Sequence, residues 1–223
     1  MDSANLPISP FHRLICAYAP AGRRDRFLAL FSFDAALADV IRTNREAMIG
    51  LIRLQWWRDV IAQDPDQRPR ANPVIEALDT LPDQDDIRPH LLHMLDGWER
   101  LIEEATPEAE ELRAYAAERG SALFQALTLG CAAEGAMPIA RLGAIWARWD
   151  LARHHSDPAF VARRRDLMDD VAWLGELKLP REVRPLLILA RLIRVDILAD
   201  RPDRSLMRPA TALRIIWHGL TGI

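Results

Sequence analysis

The chain lacks any marked excess of charge. Its 29 basic and 32 acidic residues leave a net charge of −3 at neutral pH. No long basic run is present, which removes the electrostatic footprint of a nucleic-acid binder. Cysteine is scarce: Cys16 and Cys131 are the only two, far apart and in no metal-ligand spacing, so they read as reduced, buried thiols. No apolar run reaches the ~18 residues of a membrane span. The nearest, Pro185–Ala199, is interrupted by Arg191, Arg194 and Asp196. The opening MDSANLPISPFHR has no apolar core of a secretory signal, so a cytoplasmic location is expected. Glycine-rich phosphate loops and His/Cys clusters are missing. Ser3, Ser9, Ser32 and Ser121 stand in no nucleophile context. His154 and His155 are adjacent, point apart on a helix and cannot share one metal. His12, His90, His93 and His218 are scattered and are expected at the surface or at caps. The β-branched alternation and hairpin turns of a sheet are also absent.

What remains is helical. The 223 residues, 50% hydrophobic and 27% charged, suffice for one domain with a substantial core. Residues 1–9 are expected to form a loose arm, and Phe11–Tyr18 one or two helical turns. Arg23, Arg24 and Arg26, with Asp25, read either as a solvated helix start or as a phosphate contact. From Asp25 to Arg42 the spacing predicts a long helix with Phe27, Leu30, Phe31, Leu37 and Ile41 on one stripe. Asp34 falls on that stripe, where a carboxylate must be paired or line a cavity. Asp39, five residues on, lies about 140° around the helix and is placed to pair with Arg42. Ala47–Ile61 is the second long helix. Ile49, Ile52, Leu54, Trp56, Val60 and Ile61 cover much of its circumference, which predicts burial on more than one side. The Trp56-Trp57 pair reads as core or as the lining of an apolar tunnel.

Further helices are expected from Asn72-Pro73 to about Leu78 and from Arg88 through Ile102. Thr106-Pro107-Glu108 gives a capped restart, and the helix that follows reaches about Ala133 with a kink or close-packing point at Gly120-Ser121. Ile139–Arg153 carries Leu142, Ile145, Trp146, Trp149 and Ala152 on one face, with Asp150, Arg153 and His154 at its far end. Phe160–Leu174 is amphipathic and basic at Arg163–Arg165. Glu182–Leu198 is the last strong helix. The expectation is a single all-α domain over residues 1–223 with roughly eight helices.

Taken in order, four segments resemble the squalene/phytoene synthase family of head-to-head prenyl synthases. Arg26–Val40 is similar to the family's first aspartate-rich helix, and Leu51–Arg58 to the Arg-Leu-x-x-Trp-Trp/Arg segment behind it. Tyr115–Gly130 resembles the mid-chain helix, and Leu142–Arg153 the helix of the second aspartate motif. The resemblance implies an isoprenoid-synthase-type bundle around a central cavity. In active members, prenyl diphosphates bind through magnesium held by two facing aspartate motifs. Here the first motif, Asp-Asp-x-x-Asp, falls on Ala38, Asp39, Val40, Ile41 and Arg42, so a cation replaces one ligand. In the second, Asp150 and Arg153 match, and His154 stands where another aspartate belongs.

Magnesium held between two helices needs several oxygens at i,i+3 or i,i+4 on each. Asp34 and Asp39 diverge, and Asp150 has no acidic neighbour at those spacings. No metal site, cofactor or catalytic residue is therefore expected, with Asp39, Asp150, Arg153 and His154 as the remnants. The degenerate pattern resembles a non-catalytic branch that includes complex I assembly factors. That likeness implies a protein partner in respiratory-complex assembly, or a prenyl or lipid ligand, with a peripheral place on the inner membrane. Phe31, Trp56 and Trp146 would line or fill the old cavity, and Arg163–Arg165 would be a contact patch. The alternative is a magnesium-dependent prenyltransferase. In it Asp39, Asp150 and His154 hold a reduced metal site, and Arg23, Arg26 and Arg53 hold diphosphate.

Overall fold

The computed structural model describes residues 5–43, 46–103, 108–131, 136–154 and 163–199, the side chains of 103, 136 and 163–165 excepted. These residues form helices and no strand. In chain order the α-helices are α1 (Pro10–Cys16), α2 (Ala21–Thr43), α3 (Ala47–Ala62), α4 (Pro73–Asp79), α5 (Gln84–Glu103), α6 (Ala109–Tyr115), α7 (Ala122–Thr128), α8 (Ala136–His154), α9 (Val171–Glu176) and α10 (Arg184–Leu198). A π-helical segment, Ala116–Ser121, joins α6 to α7. The expected amphipathic helix at Phe160–Leu174 is instead a 3-10 segment, Arg163–Asp170, followed by the short α9.

Helix α2 is the axis of the bundle. Residues Arg26–Asp34 are all buried, more than one amphipathic stripe, so the helix has neighbours on every side. It packs on α1, α3, α4, α5 and α7. The polar groups it takes inside are satisfied locally: Ser32 Oγ donates to the Leu28 carbonyl at 2.6 Å.

Starts and stops follow ordinary capping chemistry. Ser9 caps α1 by accepting the His12 amide at 3.1 Å, with Pro10 at the first helical position. Asn72 caps α4 by accepting from Val74 at 2.9 Å. Helix α5 begins at Gln84, four residues before the expected start at Arg88. The Gln84 amide donates to the Leu78 and Leu81 carbonyls, and Pro89 lies on the exposed side. Gly130, at φ 70°, takes the left-handed backbone that follows the end of α7.

Two expectations are corrected. Residues 5–9 are not a loose arm, because Leu6 and Ile8 are buried in the core. Helix α3 buries one side only: Gly50, Leu54, Trp57, Val60 and Ile61 face inward. Met48, Ile49, Ile52 and Trp56 are exposed. Its apolar circumference reflects an open apolar stripe rather than neighbours on two sides.

Three glycines set how close the central helices come. A Cβ on Gly120 would lie 2.1 Å from the Gly143 carbonyl oxygen, and one on Gly143 would lie 2.1 Å from the Gly120 oxygen. The π-helical segment and α8 therefore touch backbone to backbone. A Cβ on Gly97 of α5 would lie 2.7 Å from the Arg119 amide nitrogen. Gly143→Ala is expected to lower stability by about 1–3 kcal/mol through forced backbone displacement. Gly22→Ala, in open space on α2, should leave stability unchanged or slightly raised. Urea denaturation compares them, and a Gly143→Ala midpoint equal to wild type would contradict the close crossing.

Candidate functional site

The backbone contacts around Gly97 and Gly120 bring one side chain into the centre of the bundle. Arg119 is 2% exposed. Its Nε donates to Asp34 Oδ1 at 2.8 Å and its Nη2 to Asp34 Oδ2 at 2.8 Å, a two-point grip on one carboxylate. The same Nη2 donates to Asp150 Oδ2 at 2.8 Å, and Nη1 donates to the Tyr115 hydroxyl. The guanidinium carbon lies 4.2 Å from the Trp98 ring centroid and 4.5 Å from that of Trp146, within cation–π range of both. Trp98 Nε1 adds a donor to Asp34 Oδ1 at 3.1 Å. Five elements thus meet here: α2 with Asp34, α5 with Trp98, α6 with Tyr115, the π-helical segment with Arg119, and α8 with Trp146 and Asp150.

The π-helical turn lies between Tyr115 and Ala122 and carries both Arg119 and the close approach of Gly120 to α8. Such segments recur at functional positions. Ser121 Oγ fastens its end to α8 by donating to the Ala140 carbonyl at 2.7 Å.

Electrostatics fix the protonation states. Burial by itself would raise the Asp150 carboxyl, but Arg119 and His154 outweigh it and hold the group well below the usual carboxylate range. Burial disfavours the charged form of Arg119, yet Asp34, Tyr115 and Asp150 keep it firmly cationic. The Tyr115 hydroxyl is pushed up, first by burial. His154 is raised by its hydrogen bond to Asp150. Its Nδ1 lies 3.3 Å from Asp150 Oδ1 and 2.9 Å from the Asp150 carbonyl oxygen, with the ring mostly exposed. His12, expected at the surface or at a cap, sits half-buried in the capped first turn of α1, and burial lowers it. Burial also pushes the Cys16 thiol up to about 12, consistent with an inert core thiol.

The residues singled out in the sequence do not assemble into one site. Asp39 is half-exposed and pairs with Arg42, its i,i+3 neighbour, so Asp34 is the α2 carboxylate that faces Asp150. Arg153 is buried, lies over Trp149 and donates to Asp196 at 3.2 Å, tying α8 to α10. Arg23 donates to the Leu127 and Leu129 carbonyls at 2.9 and 2.7 Å, stopping the open end of α7. Arg26 bonds the Ala126 carbonyl and Asp83. Both arginines are therefore engaged as cross-ties. Arg53 is exposed on α3 and reaches Thr43 Oγ1 at 3.4 Å. Phe31 and Trp146 are buried beside the cluster, their ring centroids 6.0 Å apart. Trp56 is 43% exposed and lies edge-on to Trp57, so it lines nothing central. The side chains of Arg163–Arg165 lie outside the described residues.

Arg119 was missed by sequence reasoning. Its neighbour Glu118 gives it an apparent local partner, whereas in the fold Glu118 turns outward to Arg100. The available signal was one arginine four residues after a tyrosine, followed by glycine, at the edge of an almost charge-free helix.

The two convergent carboxylate oxygens would be the first ligands of a magnesium ion, but both already accept from one guanidinium nitrogen. Among the described residues no group of three or more His, Cys, Asp or Glu could hold a metal. As arranged, the donor set does not fit the octahedral oxygen shell that magnesium requires.

Removing the guanidinium would strand two buried carboxylates. Arg119→Met is expected to cost about 3–5 kcal/mol of unfolding free energy. Adding Asp34→Asn and Asp150→Asn should restore part of it. A single variant as stable as wild type in urea denaturation would contradict the cluster. The pH dependence has a definite sign. His154 has a raised pKa in the fold, so its contribution is complete below its unfolded value of about 6.5. That contribution is lost as pH rises through the folded value. Asp150 is depressed and acts oppositely, losing its contribution only in strong acid. The melting temperature of wild type should exceed that of His154→Gln at pH 5.5 and converge with it in mildly alkaline solution. A gap that widens with pH would reverse the assignment.

The family model for squalene/phytoene synthase matches residues 11–183 of the chain. No curated protein and no solved structure matches it.

Proposed function

The chain belongs to the squalene/phytoene synthase family, and from that premise we propose that it is a non-catalytic member acting by interaction rather than by prenyl coupling. The observation that carries the reading is Arg119. Ionising a prenyl diphosphate calls for several metal ions neutralising the leaving group, the largest catalytic contribution in such chemistry. In this protein the carboxylates that face one another across the bundle, Asp34 and Asp150, both pair with one covalently tethered cation. Of the three arginines that would hold diphosphate under the enzymatic reading, Arg23 and Arg26 are committed to backbone carbonyls and Asp83, and Arg53 is exposed on α3.

The interaction half of the proposal is supported by α3. Met48, Ile49, Ile52 and Trp56 are 43–68% exposed on one helix, and adjacent exposed apolar side chains of this size mark contact surfaces more often than isolated ones do. We assign this role to a protein partner in respiratory-complex assembly, in line with the assembly-factor branch that the degenerate motifs resemble. No helix of the described residues is long and apolar enough to cross a membrane; the contact with a membrane-embedded complex that we propose is a peripheral one.

Isothermal calorimetry with farnesyl and geranylgeranyl diphosphate, with and without magnesium, tests the first half. No magnesium-dependent heat is expected. Magnesium-dependent binding followed by turnover would overturn the reading. For the second half, Ile52→Asp with Trp56→Asp should abolish co-sedimentation with partially assembled respiratory complexes while leaving the melting temperature near that of wild type.

A further inference from the structure

The acceptors around Arg119 address separate atoms of its side chain. Nε and Nη2 take the two oxygens of Asp34, Nη2 also takes Asp150 Oδ2, and Nη1 takes the Tyr115 hydroxyl. They are therefore spread around the rim of a flat group. Oxygens that hold a magnesium ion point instead at one centre, each at about 2.1 Å. Rings complete the surroundings. The guanidinium carbon lies 4.2 Å from the Trp98 ring centroid, 4.5 Å from that of Trp146 and 5.7 Å from that of Tyr115. Aromatic rings grouped about one cation are a device for recognising organic cations.

The class of cation follows from hydration and shape. An ammonium is a compact, strongly hydrated point charge, and a magnesium ion gives up its water reluctantly. Either would exchange that shell for a few oxygens and apolar ring faces. A guanidinium is weakly hydrated, stacks on aromatic rings and presents its donors as a fixed fork that grips a carboxylate at two points. Asp34 is gripped in this way. Trp98 Nε1 donates to the same Asp34 Oδ1 at 3.1 Å, so the indole that faces the cation also holds the acid in place.

We propose that Asp34, Asp150, Tyr115, Trp98 and Trp146 form a receptor for a planar organic cation of the guanidinium class, which the chain fills with its own Arg119. The carboxylates supply the charge, and the indoles set the choice of a planar cation over a compact one. The proposal deepens the non-catalytic reading by naming what the central acids take. It is tested apart from that reading, because the calorimetry above uses the wild-type chain with prenyl diphosphates and the test below uses neither.

Arg119→Ala in the full-length chain removes the heavy atoms of ethylguanidinium and leaves the receptor without its cation. Thermal unfolding of this variant is followed with millimolar ethylguanidinium, ethylammonium or magnesium chloride, beside wild type under the same conditions. Ethylguanidinium is expected to raise the variant's midpoint by roughly 5–10 °C at a hundredfold excess over its dissociation constant. Ethylammonium and magnesium should not, and wild type should respond to none. If Arg119→Ala is unfolded alone, ethylguanidinium should restore its helical circular dichroism. A variant that responds to none of the three, or equally to ethylammonium or magnesium, would overturn the proposal. Arg119→Lys gives an independent reading: it keeps the charge and loses the fork, so its urea midpoint should fall well below that of wild type. An Arg119→Lys midpoint equal to wild type would show that a point charge suffices and would also overturn the proposal.

Discussion

A guanidinium buried in a helical bundle must find acceptors for nearly all of its five N–H groups, because each one left dry is costly. Arg119 meets that demand with four hydrogen bonds to Asp34, Asp150 and Tyr115. Its flat faces lie against Trp98 and Trp146. Much of the interior answers to this one requirement. The two carboxylates come from helices far apart in sequence, α2 and α8, so the cation fixes their relative depth and rotation. A hydrophobic side chain of the same volume would fill the space without dictating register, and buried ion pairs are seldom the most stable filling. What the cluster supplies is a defined arrangement of α2, α5 and α8 about a single point.

That arrangement needs a backbone able to deliver the side chain. Gly97, Gly120 and Gly143 remove the Cβ atoms that would hold α5, the π-helical segment and α8 apart. The π turn adds a local change of phase just where Arg119 projects. The outer arginines work in a different register. Arg23, Arg26 and Arg68 reach back to carbonyls at helix ends or to nearby acids, so side chains that look like anion receptors in the sequence serve as braces. Arg68 shows the same economy: 3% exposed, it bonds Asp79 and the Ile61 carbonyl and fixes the link between α3 and α4.

The sequence was most legible where one physical effect dominated. Apolar periodicity located α2, α8 and α10, and the Asn72-Pro73 signal started α4 where the structure does. The constraint on Asp34 was also legible, since an acid on an apolar stripe has to be paired. Its partner was not, because Arg119 is 85 residues away and a single chain does not reveal which distant groups share a point. Asp39 drew attention through motif spacing, yet its i,i+3 arginine claimed it. Helix α3 misled for another reason. Hydrophobicity around a whole helix predicts burial on all sides only if neighbours exist to bury it, and Ile49, Ile52 and Trp56 stay exposed.

The centre and the surface of the molecule make one argument together. Carboxylates that hold a metal ion must be free to accept one. Here Asp34 and Asp150 both accept from Arg119, a cation that is part of the chain, and His154 lies beside Asp150. A metal ion there would have to displace a cation held at several points and unable to diffuse away. The apolar side chains that α3 leaves exposed lie outside this cluster. On the non-catalytic reading proposed above, the fold is a support for that exposed helix, with Arg119 joining α2 and α8 at its centre.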